Sequence, residues 1–276
     1  MDTAELKLMA EKGRKRLIQL IYKAKAGHTG GDLSVLNLLY TLYFHVMNVG
    51  KDKLDDPDRD RFILSKGHCV EALYCVLEDK GILPAALVDT YGDFKSPLGG
   101  HPLNTLPGIE FCSGALGHGL SIGVGCAIAA KMDSRPTRTF VVMGDGEQQE
   151  GSIYEAAMAG AQYKLGNLVA FIDRNNLQIS GNTEDVMGLR DEAAKWTDFG
   201  WEVKEMNGDK IEDIIKVMDT VDYGLDRPHM IISHTTKGLG VSYMENVAKW
   251  HHGVPDEAQY QEAMKELDER IKSATL

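Results

Sequence analysis

Cysteine is scarce in this chain: four residues in 276, Cys69, Cys75, Cys112 and Cys126. None forms a Cys-x-x-Cys pair or stands at metal-ligand spacing, which excludes a zinc module and a disulfide scaffold and predicts reduced, mostly buried thiols. Basic charge is also in deficit, with 30 Lys and Arg against 41 Asp and Glu and a formal charge of −11. That balance speaks against nucleic acid or an anionic membrane as the main partner, although a local site for a small anion is compatible with it. Apolar runs fit to span a bilayer are missing too. Leu33–Val49 lacks formal charge, but Ser34, Asn37, Thr41, His45 and Asn48 recur at helical spacing, as a polar stripe on a buried helix would. Phe111–Ala130 is equally uncharged, yet its glycines at 114, 117, 119, 123 and 125 suit a loop leading into a closely packed helix. Met1 to Arg16 is charged throughout, without the apolar stretch of a secretory signal. A cytoplasmic location is the expectation. Repeats, low-complexity tracts and Ser/Pro linkers are absent, so a single domain over residues 1–276 is expected.

With 43% hydrophobic and 26% charged residues, the composition is that of a soluble globular protein. Buried-strand patterns occur at Arg61–Leu64, Thr139–Met143, Leu168–Asp173, Trp201–Glu205 and His229–His234, with helical patterns between them. Alternation of this kind predicts an α/β fold, a doubly wound and mainly parallel sheet with helices on both faces. Ser152 and Glu155 are spaced as a capping box opening one helix, and Gly166 stands where a left-handed cap would end it. A last helix is predicted after Pro255, from about Asp256 to Lys272.

Two strand ends carry the strongest chemical signal. Thr139–Met143 runs into Gly144-Asp145-Gly146, and the strand ending at Asp173 runs into Asn175-Asn176. Neighbouring parallel strands share one carboxyl edge, so Asp145 and Asn175 are expected to converge there. A carboxylate, an amide oxygen and nearby carbonyls are hard ligands suited to Mg²⁺ or Ca²⁺, and the glycines let backbone amides approach phosphate oxygens. A Gly-Asp-Gly turn alone is a weak signal. Here it lies within Gly144-Asp-Gly-Glu-Gln-Gln-Glu-Gly151, followed by Lys164-Leu-Gly-Asn-Leu168 and Asp173-Arg-Asn-Asn176. That series resembles the diphosphate-binding segment of thiamine-diphosphate enzymes, and of transketolases in particular. The resemblance implies Asp145 and Asn175 as side-chain ligands of Mg²⁺ and Leu177 as a carbonyl ligand. It also places Gly146 at the diphosphate and Ile179 on the thiazolium ring.

Four histidine segments extend the resemblance: Ala26-Gly-His28-Thr-Gly-Gly31, Leu64-Ser-Lys-Gly-His68, Gly99-Gly-His101-Pro102 and Lys249-Trp-His-His252-Gly-Val-Pro255. Gly114-Ala-Leu-Gly117 resembles the loop that meets the aminopyrimidine through Gly114 and Leu116. Ketol transfer deprotonates a hydroxyl and reprotonates a carbonyl oxygen, work suited to groups that titrate near neutrality. By resemblance His28, His68, His101 and His252 handle sugar hydroxyls, His68 and His252 also lie near the diphosphate, and Glu150 links paired active sites. His45, His118, His229, His234 and His251 read as structural, and Lys237 as a solvated turn lysine. His118, Ser180 and Leu239 depart from the residues transketolases more often carry.

Nothing in the chain resembles the pyrimidine-binding domain of full-length transketolases, with its activating glutamate. The resemblance therefore implies a split enzyme: a separately encoded partner carrying the remainder, a heterotetramer holding two of each chain, and a sugar phosphate or sulfo-sugar substrate. Two other readings compete with it. One is the α subunit of a 2-oxo-acid dehydrogenase, which lacks the histidine quartet; the other is a non-catalytic scaffold, which has no need of Asp145, Asn175 and the histidines.

Overall fold

The computed structural model describes residues 1–275. In chain order it contains α1 (Thr3–Ala24), α2 (Thr29–Thr41), β1 (Arg61–Leu64), α3 (Val70–Asp79), the short α4 (Ala85–Val88) and α5 (Gly119–Met132). There follow β2 (Thr139–Gly144), α6 (Gly151–Gln162), β3 (Leu168–Arg174), the two-residue strands β4 (Leu177–Gln178) and β5 (Gly181–Asn182), α7 (Thr183–Met187) and α8 (Glu192–Asp198). The chain ends with β6 (Glu202–Asn207), α9 (Ile211–Met218), β7 (His229–His234) and α10 (Glu257–Thr275). Five strands form one sheet in the order β1-β2-β3-β7-β6, with every pairing parallel. The expected α/β architecture is present.

Strand side chains alternate between two cores. Phe140, Val142, Val169, Phe171 and Ile231 face a cluster built on α1, α2, α3 and α9. Val141, Met143, Ala170, Ile172, Met230 and Ile232 face a second cluster with α5, α6, Trp196 and Trp201. Strand order advances from β1 to β6 and then steps back to β7. The reversal puts α9 on the opposite face from α6, as right-handed crossovers require.

All five predicted strands form, with the fourth shifted to start at Glu202. The predicted C-terminal helix covers Glu257–Thr275. The segment from Leu33 is buried as expected, but α2 ends at Thr41 and continues as one wider turn over Leu42–Val46. Among the described residues no helix is long and apolar enough to cross a membrane.

Two local expectations are corrected. Helix α6 is preceded by Glu150 rather than opened by Ser152, whose hydroxyl instead donates to the Gly117 carbonyl at 2.8 Å. The left-handed residue after α6 is Lys164, with φ of 54°, not Gly166. Gly166 is needed for space: a Cβ there would lie 2.0 Å from the Leu225 carbonyl oxygen.

Candidate active site

Register decides what meets at the carboxyl edge of the sheet. Leu64 pairs with Val142, Gly144 with Asp173, and Arg174 with His234. The residues just beyond those ends are therefore brought together: Lys66 and His68 after β1, Asp145 after β2, Asn175 after β3, and Lys237 after β7. They line a cavity of about 380 Å³ together with His28, Gly114, Leu116, Gly146, Leu177 and Ile179, all sequence-predicted. Gly31, Gly144, Glu147, Gln178, Ser180 and His251 complete the wall.

Asp173 organises the polar floor. Its carboxylate is buried and accepts from the Lys66 ammonium, the Ser34 hydroxyl at 2.6 Å, the Thr235 hydroxyl and the Asn175 amide at 3.2 Å. Burial works to raise its pKa, but Lys66 and these donors hold it below the usual carboxylate value. Because Asn175 Nδ2 donates to Asp173, its Oδ1 is left as the acceptor, and it receives the Leu177 N–H at 3.2 Å. Orientation of that amide oxygen is thus fixed by a neighbour's charge. Asp145 Oδ2 lies 3.3 Å from Arg174 Nη1, and Arg174 also pairs with Glu184 at 2.5 Å and Glu192 at 2.6 Å. Among the described residues no three His, Cys, Asp or Glu side chains form a metal cluster. The acid, amide oxygen and carbonyl of Asp145, Asn175 and Leu177 are a different donor set, and a hard one.

The histidines gather around His28. Its ring centroid is 5.2 Å from His68, 6.0 Å from His101, 4.6 Å from His252 and 5.8 Å from His251. Backbone bonds lock these loops: Thr29 Oγ1 donates to the Gly253 carbonyl at 2.6 Å, and the Gly238 N–H to that of Gly30 at 2.9 Å. Burial, then the fields of His252, His101 and nearby lysines, lowers the His28 pKa to about 4. Burial also depresses His68 and His101. These rings are neutral imidazoles at neutral pH, and the buried Nδ1 of His28 has no hydrogen-bond partner among the described residues.

Two residues read as structural or solvated belong to the cavity wall. Lys237 is 2% exposed rather than solvated, and its ammonium donates to the Leu177 carbonyl at 3.1 Å and to His251 Nδ1 at 2.9 Å. Burial and then Lys66 lower its pKa to about 8. His251 stacks on His68 with centroids 5.2 Å apart, and burial followed by the Lys237 charge takes its pKa to about 3. His252 sits on the exposed side of His28. Buried Trp250, its indole N–H bonded to the Tyr243 carbonyl at 3.1 Å, anchors the turn that sends the two histidines to different sides. That buried aromatic was the available signal.

Glu150 is exposed at the start of α6, outside the cavity wall. The buried acid here is Glu147, which accepts from Ser65 Oγ, from Gly117 N at 2.9 Å and from Gly144 N at 3.0 Å. Gly114 has a φ of 155°, which only glycine adopts readily, and a Cβ there would lie 3.1 Å from the His101 ring. His118 is exposed at the head of α5, and the other histidines read as structural, His45, His229 and His234, lie outside the cavity. Leu239 gives its carbonyl to Arg14 at 2.8 Å.

The family described as transketolase, thiamine diphosphate binding domain, matches residues 6–268. A protein of Phocaeicola vulgatus, named as a subunit of apulose-4-phosphate transketolase, is 62% identical over 272 residues, covering 99% of this chain and 97% of its own. The 6-deoxy-6-sulfo-D-fructose transketolase subunit SqwG of a Clostridium species is 37% identical over 256 residues, covering 92% and 93%. The solved transketolase of Campylobacter jejuni superimposes with a TM-score of 0.91 at 27% identity, over 97% of this chain and 43% of that one. That of Leishmania mexicana gives 0.85 at 25% identity, over 98% and 45%, so the chain spans less than half the length of either solved enzyme. By sequence over nearly its whole length, and by fold, this chain belongs to the transketolase family, as a counterpart of its thiamine-diphosphate-binding domain.

Proposed function

We propose that this chain is the thiamine-diphosphate- and Mg²⁺-holding subunit of a two-chain transketolase. It would act as one diphosphate-binding domain and transfer a two-carbon ketol unit from a ketose donor to an aldose acceptor. One observation carries this reading: the segments after β1, β2, β3 and β7, together with the His28 loop before α2, bring neutral histidines, two buried lysines and three hard oxygens to one cavity.

The residues present fit the cofactor. Asp145, Asn175 Oδ1 and the Leu177 carbonyl would hold Mg²⁺ (or Ca²⁺), whose charge the diphosphate needs. Lys237 and the backbone at Gly146 would meet phosphate oxygens, with His68 and His252 beside them. Gly114 and Leu116, on the cavity wall, would meet the pyrimidine. Ile179 lines the cavity yet is 76% exposed, an apolar surface that a thiazolium ring would cover. Thiamine diphosphate, when bound, supplies the electron sink for ketol transfer.

The chain's own residues bind the sugar and move its protons. His28, a neutral imidazole, would accept a proton from a donor hydroxyl and, as the imidazolium so formed, return it to the acceptor's carbonyl oxygen, with His101 beside it binding sugar hydroxyls. His68 and His252 orient hydroxyls around them. Neither carboxylate of the cavity wall is free to act on the aminopyrimidine, since Asp145 would hold the metal beside Arg174 and Glu147 accepts from three donors. The acid that activates the aminopyrimidine is therefore assigned to a second polypeptide. Exposed Met187 and Val186, at 60% and 44%, give that partner an apolar surface to cover. Glu150, exposed beside it, is assigned to contact between two copies of this chain in a heterotetramer.

For the donor we assign apulose-4-phosphate, the ketose that names the relative 62% identical to this chain. A donor panel on the reconstituted complex tests it. Apulose-4-phosphate should exceed linear ketose phosphates and 6-deoxy-6-sulfo-fructose in kcat/KM by about tenfold or more. The opposite order overturns the donor and leaves the reaction class standing.

A further inference from the structure

Beneath the histidine loops lies a pair of acids for which the ketol chemistry has no use. Asp32, in the first turn of α2, and Glu71, in the first turn of α3, are both 0% exposed. Asp32 Oδ1 accepts the Ala72 N–H at 2.9 Å, and the Tyr91 hydroxyl donates to Glu71 Oε1. Asp32 Oδ2 and Glu71 Oε2 are buried with no hydrogen-bond partner among the described residues, and each carboxyl group bears directly on the other's charge. In a dry interior, two adjacent carboxylates do not both ionise.

Their surroundings offer no substitute for that proton. Lys66 is the nearest cation, but its ammonium is committed to Asp173 and the Gly31 carbonyl. Arg16, on α1, is engaged by Glu78 at 3.0 Å and Asp89 at 2.7 Å. Burial keeps the thiols of Cys69 and Cys75 and the phenols of Tyr74 and Tyr91 protonated.

The location gives the pair a task. His28 immediately precedes α2, and His68 lies in the turn that leads into α3. Glu71 Oε1 is 3.2 Å from where a Cβ on Gly27 would stand. Tyr91, bonded to Glu71, faces Gly100, and the Tyr74 hydroxyl donates to the Gly99 carbonyl at 2.9 Å. Three loops, those of His28, His68 and His101, thus meet at one buried acid pair. We propose that Asp32 and Glu71 share a single proton and act as a positioning pair, fixing these three loops relative to one another. The task, though not the shared proton, rests on reading the histidine cavity as the reaction site.

The sign of the pH effect follows. Burial pushes Glu71 up to about 7, and burial and then Glu71 push Asp32 upward. Unfolded carboxyls titrate near ~4, so between about 4 and 7 the folded chain holds an extra proton and this stabilisation is lost as pH rises. The buried histidines act oppositely, because their depressed values favour folding as pH rises toward ~6.5. A difference between variants separates the two effects.

Unfolding constants of the full chain are compared with those of Asp32→Asn across this range. The amide accepts from Ala72 and donates to Glu71, so the extra proton has no place. The ratio of wild-type to variant unfolding constants should rise by up to about tenfold per pH unit within that window. A ratio independent of pH overturns the shared proton, whether or not the enzyme transfers ketol units. The second readout is the set of side-chain ¹⁵N resonances of His28, His68 and His101. They should move in Asp32→Ala and return in Asp32→Asn; unmoved resonances in Asp32→Ala overturn the positioning role. If Asp32→Ala does not fold, Tyr91→Phe, which removes only the hydroxyl on Glu71, is read in its place by the same criterion.

Discussion

Replacing Lys66 with methionine tests whether the floor of the cavity is held by charge. Lys66 and Asp173 are each 1% exposed and paired with each other. Removing one partner of such a pair typically costs about 3–5 kcal/mol, because the other charge stays buried. Asp173 would keep the Ser34, Thr235 and Asn175 donors, which puts Lys66→Met near the low end, about 3 kcal/mol. Asp173→Asn leaves the buried Lys66 ammonium with neutral acceptors such as the Gly31 carbonyl at 3.2 Å and no counter-charge, which puts that variant near the high end, about 5 kcal/mol. At roughly 2–4 °C per kcal/mol for a chain of this size, Lys66→Met should lower Tm by about 6–12 °C. The double variant removes both charges, so its loss should fall short of the sum by about 3 kcal/mol. Thermal and urea unfolding of the four proteins supply the cycle. A Lys66→Met loss under about 1 kcal/mol, or strict additivity, would refute the charge-held floor.

Three further outcomes are expected. Asp145→Ala should weaken Mg²⁺-dependent thiamine diphosphate binding by about tenfold or more in calorimetry on the reconstituted complex; unchanged affinity in a folded variant removes Asp145 from the metal. His28→Ala and His101→Ala should each lower turnover by about a hundredfold with little change in cofactor affinity, and collapse of affinity with turnover intact would reverse their roles. Lys237→Met should weaken pyrophosphate and thiamine diphosphate binding by about tenfold or more while leaving the fold intact, since a buried ammonium facing the cavity has an anion to meet. Equal affinity in that variant would return Lys237 to a structural role.

Much of this was legible from sequence because the sheet is buried on both faces. Continuous apolar runs such as Phe140–Met143 and Val169–Ile172 mark parallel strands, and the residue just past each run is placed by register alone. Asp145 and Asn175 were found in that way. Positions set by loop packing were not. His251 and His252 are adjacent in sequence, and only the buried Trp250 decides which enters the cavity wall. Lys237 looks solvated among polar neighbours until the loop of Gly30 folds over it. Ser152 and Glu155 match a capping pattern, but the Ser152 hydroxyl donates to the Gly117 carbonyl from a loop distant in sequence instead of accepting from its own helix. In each case a tertiary contact overrode a valid local preference.

On the proposed function, this chain holds the cofactor but does not complete the catalyst. The direct measurement is ketol transfer by the purified chain with thiamine diphosphate and Mg²⁺, alone and then with the separately encoded chain that corresponds to the rest of a transketolase. The expected result is no turnover alone and turnover on mixing, abolished by His28→Ala. Robust ketol transfer by the single chain would contradict it.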